Sequence, residues 1–143
     1  MRPDDATPPP PARAAGLRAG LRLLLAGLMI AVGVLHFVRP DPFVMIVPAY
    51  LPWPLGLVLI SGVFEILGGV GLLLARTRSA AGWGLIALYL AVFPANVWMA
   101  TEGIQPPGLE LSPAAAWARL PFQAVLIAWA WWVSRPDPAV APR

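Results

Sequence analysis

Four stretches of apolar residues, separated by short segments rich in proline, glycine and charge, dominate the pattern along the chain. The first three lie at about residues 19–38, 55–75 and 80–101. Each holds about 20 residues, which as an α-helix is long enough to cross the hydrocarbon layer of a bilayer. The fourth, 113–134, begins with a Ser-Pro pair that is typical of a helix N-cap followed by a first-turn proline. The pattern therefore predicts an all-α membrane protein, a bundle of four transmembrane helices.

The segments outside these spans differ in composition from the spans and from one another. Residues 1–17 are rich in proline and alanine and carry mixed charge, so we expect a disordered cytoplasmic tail there, and a second cytoplasmic tail at 135–143. The transmembrane domain is then 18–134. The connection 39–54 holds five prolines around an apolar stretch, with an Asp-Pro pair typical of a helix start. We expect one or two turns of interfacial helix in this first outer loop.

Arginine and aromatic positions predict the orientation in the membrane. Eight of the ten arginines fall on one side of the four-span arrangement, whereas Arg39 and Arg119 fall towards the other. Positive charge is concentrated on the cytoplasmic side of membrane proteins, which predicts a multi-pass protein of the inner (plasma) membrane with both termini in the cytoplasm. Aromatic residues lie at the same boundaries, the outer set being Tyr50, Trp53, Trp98 and Trp117 and the inner set Trp83, Trp131 and Trp132.

Composition narrows the function classes. The 143 residues are 59% hydrophobic and 12% charged, which is too little charge for the surface of a small soluble domain. The chain has no cysteine, which excludes disulfides, thiol nucleophiles and thiolate metal sites, and its single histidine excludes a multi-histidine metal centre within one chain. The net charge of +3 does not indicate nucleic-acid binding, because the arginines lie at membrane edges. Arginine in place of lysine, with much alanine, proline and glycine, indicates a bacterial source.

Five polar side chains lie within or at the edge of the predicted spans, all in the outer half of the membrane: His36, Glu65, Asn96, Arg119 and Gln123. Polar groups are costly in hydrocarbon and usually face the bundle interior or water. Glu65 lies near the midplane, and we expect it to approach Arg119 across the bundle, directly or through other polar groups. We predict that the five residues form a ligand-binding site beneath the connection 39–54. The pattern identifies no catalytic residue and no metal ligand.

The same five residues also have a purely structural explanation. Glu65 can serve as packing glue in its protonated form, hydrogen-bonded to Ser61 or to a neighbouring helix. Arg119 can extend to the outer headgroups, and a histidine at a membrane interface is commonly an anchor. Asparagine and glutamine in membrane helices often pair with each other between helices. The site and the structural explanation both stay open from the sequence.

Several polar motifs also carry a family resemblance. They are the run 36–52, which begins with His-Phe and ends with Leu-Pro, the motif Ser-Gly-Val-Phe-Glu-Ile-Leu-Gly-Gly at 61–69, Phe-Pro-Ala-Asn at 93–96, and Arg-Leu-Pro with Gln at 119–123. These motifs resemble the first outer connection and the second, third and fourth spans of the DoxX family. The resemblance covers about residues 20–134.

The resemblance implies a four-helix membrane protein from a family that is named after a subunit linked to thiosulfate oxidation with quinone as acceptor. Some relatives look like membrane partners of oxidoreductases, and distant ones act as assembly chaperones. This chain has no cysteine, so thiol-based sulfur chemistry on its own side chains is not expected. We therefore expect a partner or binding subunit with an outer-leaflet polar cavity for a quinone or a lipid-like ligand.

The expected partners are the lipid bilayer, a membrane or periplasmic oxidoreductase, and further copies of the chain. Two alternatives stay open. In one, the protein is a membrane assembly or scaffold protein whose buried polar residues are only structural. In the other, it is a subunit of a quinone-linked oxidoreductase. The residues do not identify a bound cofactor, and quinone is the candidate that the resemblance suggests.

Overall fold

Every regular element in the described part of the chain is an α-helix. The computed structural model describes residues 12–106 and 112–136. The helices are α1 (Ala12–Val38), α2 (Asp41–Val44), α3 (Pro54–Leu73), α4 (Arg78–Glu102) and α5 (Pro113–Ser134). The four long helices pack side by side, α1 against α3, α3 against α4, and α4 against α5. The predicted all-α class is confirmed for these residues, and the short helix expected in the first outer loop is present as the single turn of α2.

Three of the long helices are long and apolar enough to cross a membrane. These are residues 15–38 of α1, the whole of α3 and the whole of α4, with mean hydropathies of 2.2, 2.1 and 1.6. Only 33%, 39% and 17% of their most apolar stretches are buried inside the protein. Many large leucine, valine and phenylalanine side chains therefore point outward. Apolar surface of this extent is stable against lipid rather than water, so the chain has the surface of a membrane protein.

The fourth long helix, α5, has the predicted bounds. It begins as its sequence predicts, because Ser112 Oγ accepts a hydrogen bond of 3.2 Å from the Ala115 backbone N–H and Pro113 occupies the first turn. Its 22 residues are long enough to span a bilayer. It contains four tryptophans, two prolines, Arg119 and Gln123, and it is not among the three helices whose hydropathy suffices to cross a membrane. That α5 forms a fourth span stays a prediction.

The first helix begins earlier than predicted. Helix α1 starts at Ala12, so residues 12–17 are helical where a disordered tail was expected. Alanine, leucine and arginine, which are strong helix formers, occupy most of these positions and extend the helix beyond the apolar span. The rest of the predicted tails, residues 1–11 and 137–143, lies outside the described residues, as does 107–111 of the second outer loop.

The turn between α3 and α4 is fixed by side chains that cap the end of α3. Thr77 Oγ1 donates to the Gly71 carbonyl at 3.0 Å, and Arg78 Nε donates to the Leu72 carbonyl at 3.4 Å. These bonds use carbonyls that have no partner within the helix. They end α3 at Leu73, two residues before the predicted limit.

Glycines allow α1 and α3 to approach closely, beginning near the end of the bundle that carries the connection 39–54. A Cβ atom added at Gly62 would lie 2.7 Å from the His36 Cβ atom and 3.0 Å from the Gly33 carbonyl oxygen. Further along α3, a Cβ atom at Gly69 would lie 2.8 Å from the Ala26 carbonyl oxygen. Small residues let helix backbones pack in direct contact inside a membrane. This contact brings His36 on α1 to the face of α3 that carries the predicted site.

Candidate functional site

A cavity of about 490 Å³ lies among the helices beneath the first outer connection. All five helices contribute to its wall, which is mostly apolar. The five polar residues predicted from the sequence all line it: His36, Glu65, Asn96, Arg119 and Gln123. The structure therefore brings together, in one cavity, side chains that come from four helices and are up to 87 positions apart in the sequence. That they bind a ligand stays a prediction.

His36 and Glu65 face each other across the glycine contact of α1 and α3. The His36 Nδ1 atom lies 3.3 Å from Glu65 Oε2, and the two side chains are 7% and 13% exposed. The same nitrogen lies 2.8 Å from the Val32 carbonyl oxygen, one turn earlier in α1. A carbonyl oxygen can only accept, so this contact requires the proton on Nδ1. The Nδ1–H group then points at the Val32 carbonyl, with the Glu65 carboxyl group beside it.

One oxygen of Glu65 has no hydrogen-bond partner within the described part of the chain. Glu65 Oε2 is fully shielded, yet neither His36 Nδ1 nor any other described donor reaches it with hydrogen-bond geometry. The hydroxyl of Ser61, an alternative partner from the sequence, donates to the Val58 carbonyl at 2.8 Å. A buried polar atom without a partner is costly and commonly marks the position of a bound water or ligand group. Glu65 Oε2 is therefore an unused acceptor at the cavity.

The connection between α1 and α3 covers the cavity. The ring of Phe43 in α2 stacks on the His36 ring, with centroids 3.8 Å apart and an interplanar angle of 22°. Further along, Tyr50 packs edge-on against Trp98 of α4, with centroids 5.9 Å apart. Apolar side chains between these two contacts line the cavity, namely Ile46, Val47 and Pro48. The connection therefore contacts both sides of the cavity mouth. Phe43 packs against α1, and Tyr50 packs against α4.

Two amide side chains form a continuous hydrogen-bonded path between α4 and α5. Asn96 Nδ2 donates to Gln123 Oε1 at 2.7 Å, and Gln123 Nε2 donates in turn to the backbone carbonyl of Tyr89. The Tyr89 hydroxyl donates to the Met29 sulfur at 3.1 Å, which joins α4 to α1. Gln123 is 5% exposed, and its carboxamide makes both of these hydrogen bonds inside the protein. Of the five residues, this pair carries the strongest packing role.

Arg119 lines the cavity from α5 but does not contact Glu65. In the ranges 12–106 and 112–136, no acidic side chain lies within salt-bridge distance of its guanidinium group. A direct Glu65–Arg119 ion pair, one form of the expected approach, is therefore wrong in this structure, and an approach through other polar groups stays a prediction. The reason is the packing order, because α3 packs on α1 and α4, whereas α5 packs mainly on α4. Glu65 consequently has His36 as its ionisable neighbour, and Arg119 faces the cavity from another wall.

Arg22 has a structural role that the sequence did not reveal. It is 7% exposed, and its Nε atom donates to the Val133 carbonyl at 2.8 Å. Val133 lies in the last turn of α5, where carbonyls lack partners within the helix and a cation is favoured. Arg22 therefore ties α1 to the end of α5, far from the cavity. The sequence offered one signal of this role, because Arg22 lies inside the first apolar span rather than before it.

The comparisons with known proteins place the chain in a family without a known function. The model of a domain of unknown function, DUF8561, matches residues 25–134. The chain belongs to this family. The matched region of this DUF8561 protein covers all five cavity residues and most of the four long helices. Comparisons with curated proteins and with solved structures found no match.

Proposed function

We propose that this DUF8561 protein is a membrane-embedded binding or partner subunit whose cavity holds the polar head of a quinone or lipid-like ligand. The observation that carries the proposal is the composition of the cavity. Small-molecule sites are typically concave spaces of about 300–1,000 Å³ with apolar walls and a few convergent polar groups. The 490 Å³ cavity has this composition, and it contains a buried acceptor, Glu65 Oε2, without a partner among the described residues.

The free hydrogen-bonding groups of the cavity indicate what kind of head group fits. Glu65 lines the cavity, and a rotation of its carboxyl group would let the shielded Oε2 accept a hydrogen bond from a ligand hydroxyl, while the Arg119 guanidinium can donate to a carbonyl or phosphate oxygen. Asn96 and Gln123 are already paired with each other and supply little free capacity. The apolar lining, including Phe43, suits a ring or the upper part of a chain. A quinone ring offers the acceptor oxygen for Arg119, and a quinol ring or a lipid head with hydroxyl and ester groups offers both that acceptor and a hydroxyl donor for Glu65.

The proposed setting is the inner membrane of a bacterium, with four spans, of which α5 is the fourth, and both termini in the cytoplasm. Arginines at three helix ends support this orientation. Arg18 lies in the second turn of α1, Arg76 and Arg78 lie at the turn between α3 and α4, and Arg135 follows α5. In an up-and-down bundle these ends are at one side. The cavity then lies in the outer leaflet, and the likeness to DoxX proteins suggests a membrane or periplasmic oxidoreductase as a partner.

A scaffold role is the second candidate, and one observation favours it. The amides of Asn96 and Gln123, with the Tyr89 carbonyl, satisfy one another and hold α4 against α5. In a scaffold protein, such bonds fix helix packing and need no ligand. The two functions predict different behaviour of the purified protein. A binding subunit retains its ligand, whereas a scaffold stays stable when the cavity is empty or filled by an introduced apolar side chain.

The test is the identity of the molecules that co-purify with the full chain in mild detergent, measured by extraction and mass spectrometry. Ala95 lines the cavity, whereas Ala87 lies two turns earlier on α4, is exposed and does not line it. Ala95→Phe is expected to abolish retention of a quinone or a specific lipid, and Ala87→Phe is expected to leave it unchanged. Equal retention in both variants, with thermal stability intact, would favour the scaffold.

A further inference from the structure

A second cavity opens at the other end of the bundle, between α1 and α5. Its volume is about 360 Å³, and it is lined only by Leu21, Val125, Ala128, Trp129 and Trp132. Helices α1 and α5 contact each other far less than the other neighbouring helices do, which leaves this groove between them. From Val125 to Trp132 it follows α5 for about 10 Å. The space is an apolar groove along the outside of the helices, separate from the site described above.

The groove ends at two arginines. The Arg18 guanidinium lies 5.6 Å from the ring centre of Trp132, which lines the groove. Its Nη1 atom is 3.5 Å from the Pro136 carbonyl oxygen, so Arg18 lies beside the exit of α5. The Arg135 guanidinium lies 3.5 Å from the ring centre of Trp131, in the last turn of the same helix. Arg18 is thus held at a ring of the groove wall, and Arg135 at the adjacent ring of Trp131, which is not part of that wall.

Trp129 lines the groove with the apolar part of its ring, and its N–H group does not open into the groove. Trp129 Nε1 is shielded and has no hydrogen-bond partner within residues 12–106 and 112–136. Trp129 precedes Arg135 by six residues, or about 9 Å along a helix. The interfacial layer that holds phosphates and ester carbonyls is about 5 to 8 Å thick on each side of a bilayer. The groove wall at Trp129 therefore lies just below the interfacial layer, at the depth of the upper acyl chain, when the arginines are near the depth of the phosphates.

We propose that this groove binds one anionic phospholipid. Its phosphate lies at Arg18 and Arg135, and an acyl chain lies along the apolar groove between α1 and α5. Charge complementarity selects an anionic head group over a zwitterionic one, since basic pockets between membrane helices attract anionic lipids. The lipid then fills the gap that the sparse contact of α1 with α5 leaves. This binding is independent of the ligand proposed for the larger cavity.

The test compares retention of phosphatidylglycerol and of phosphatidylcholine with the same acyl chains, by native mass spectrometry of the full chain in detergent. We expect phosphatidylglycerol to be retained more strongly. Arg18→Gln and Arg135→Gln should each weaken its retention about fivefold, the effect of one cation near an anionic lipid surface. Arg76→Gln is the matched control, because Arg76 is exposed at the same end and lies outside the groove. It should have little effect.

Two further variants separate a groove from diffuse surface charge. Ala128→Leu keeps the charge and fills the groove, and it should reduce retention of the lipid. Trp129→Phe keeps both the charge and the apolar wall of the groove, and it should leave retention of the lipid nearly unchanged. Equal retention of the two head groups, or an equal effect of Arg76→Gln and Arg18→Gln, would overturn the proposal. So would full retention in Ala128→Leu.

Discussion

Gly62→Ala is expected to separate α1 from α3 and to disturb the contact of His36 with Glu65. A Cβ atom at this position would lie 2.7 Å from the His36 Cβ atom and 3.0 Å from the Gly33 carbonyl oxygen. Neither contact is with the flexible end of a side chain, so the helices themselves must move. Overpacking of this kind typically costs about 1–3 kcal/mol, against about 0.5–1 kcal/mol gained when alanine replaces glycine in a helix. The net change is a loss of up to about 2.5 kcal/mol.

The assay is reversible unfolding of the reconstituted or detergent-solubilised protein, followed by tryptophan fluorescence. Gly27→Ala and Gly84→Ala are matched controls, because a Cβ atom at either position meets nothing within 4 Å. Both lie inside long helices, α1 and α4, and both should be neutral or stabilising. If Gly62→Ala is as stable as these two controls, the close glycine contact that positions His36 is refuted.

Two further predictions concern the polar residues of the cavity. A double-mutant cycle of His36→Gln and Glu65→Gln should show a coupling of about 0.5–3 kcal/mol, whereas Glu65→Gln and Arg119→Gln should be additive within about 0.5 kcal/mol. If Glu65 were instead coupled to Arg119 and additive with His36, the result would mean that Glu65 pairs with Arg119. Gln123→Leu should cost about 1–3 kcal/mol in unfolding free energy, because it leaves Asn96 without its acceptor, and adding Asn96→Leu should recover part of that loss. Strict additivity would contradict the amide path.

The helices and the depth of the polar residues were predictable, because both depend on local signals. Apolar runs of about 20 residues are long enough for membrane helices, and the Ser112-Pro113 pair marked the start of α5 correctly. A rise of 1.5 Å per residue then placed the polar residues at similar depth. The start of α1 was missed, since Ala12 and its neighbours continue the helix without an apolar pattern.

The partners within the site were not predictable, because they depend on which helices are neighbours. Glu65 and Arg119 were the natural pair by charge and depth. Direct packing of Gly62 on Gly33 instead gives Glu65 a histidine from α1 as its neighbour. The groove at Arg18 likewise results from the sparse contact of α1 with α5, which no single segment of sequence encodes.

Photo-crosslinking in liposomes tests the central claim, that the cavity beneath the first outer connection binds an amphipathic ligand, most directly. The probe is a quinone with a photoreactive group on its ring, and mass spectrometry maps the labelled residues of the full chain. We expect labelling of cavity residues such as Phe43, Val58 and Ala95, and its loss when excess unlabelled quinone or extracted native lipid is added. Labelling confined to outward-facing residues such as Leu24 and Leu67, without competition, would contradict the account.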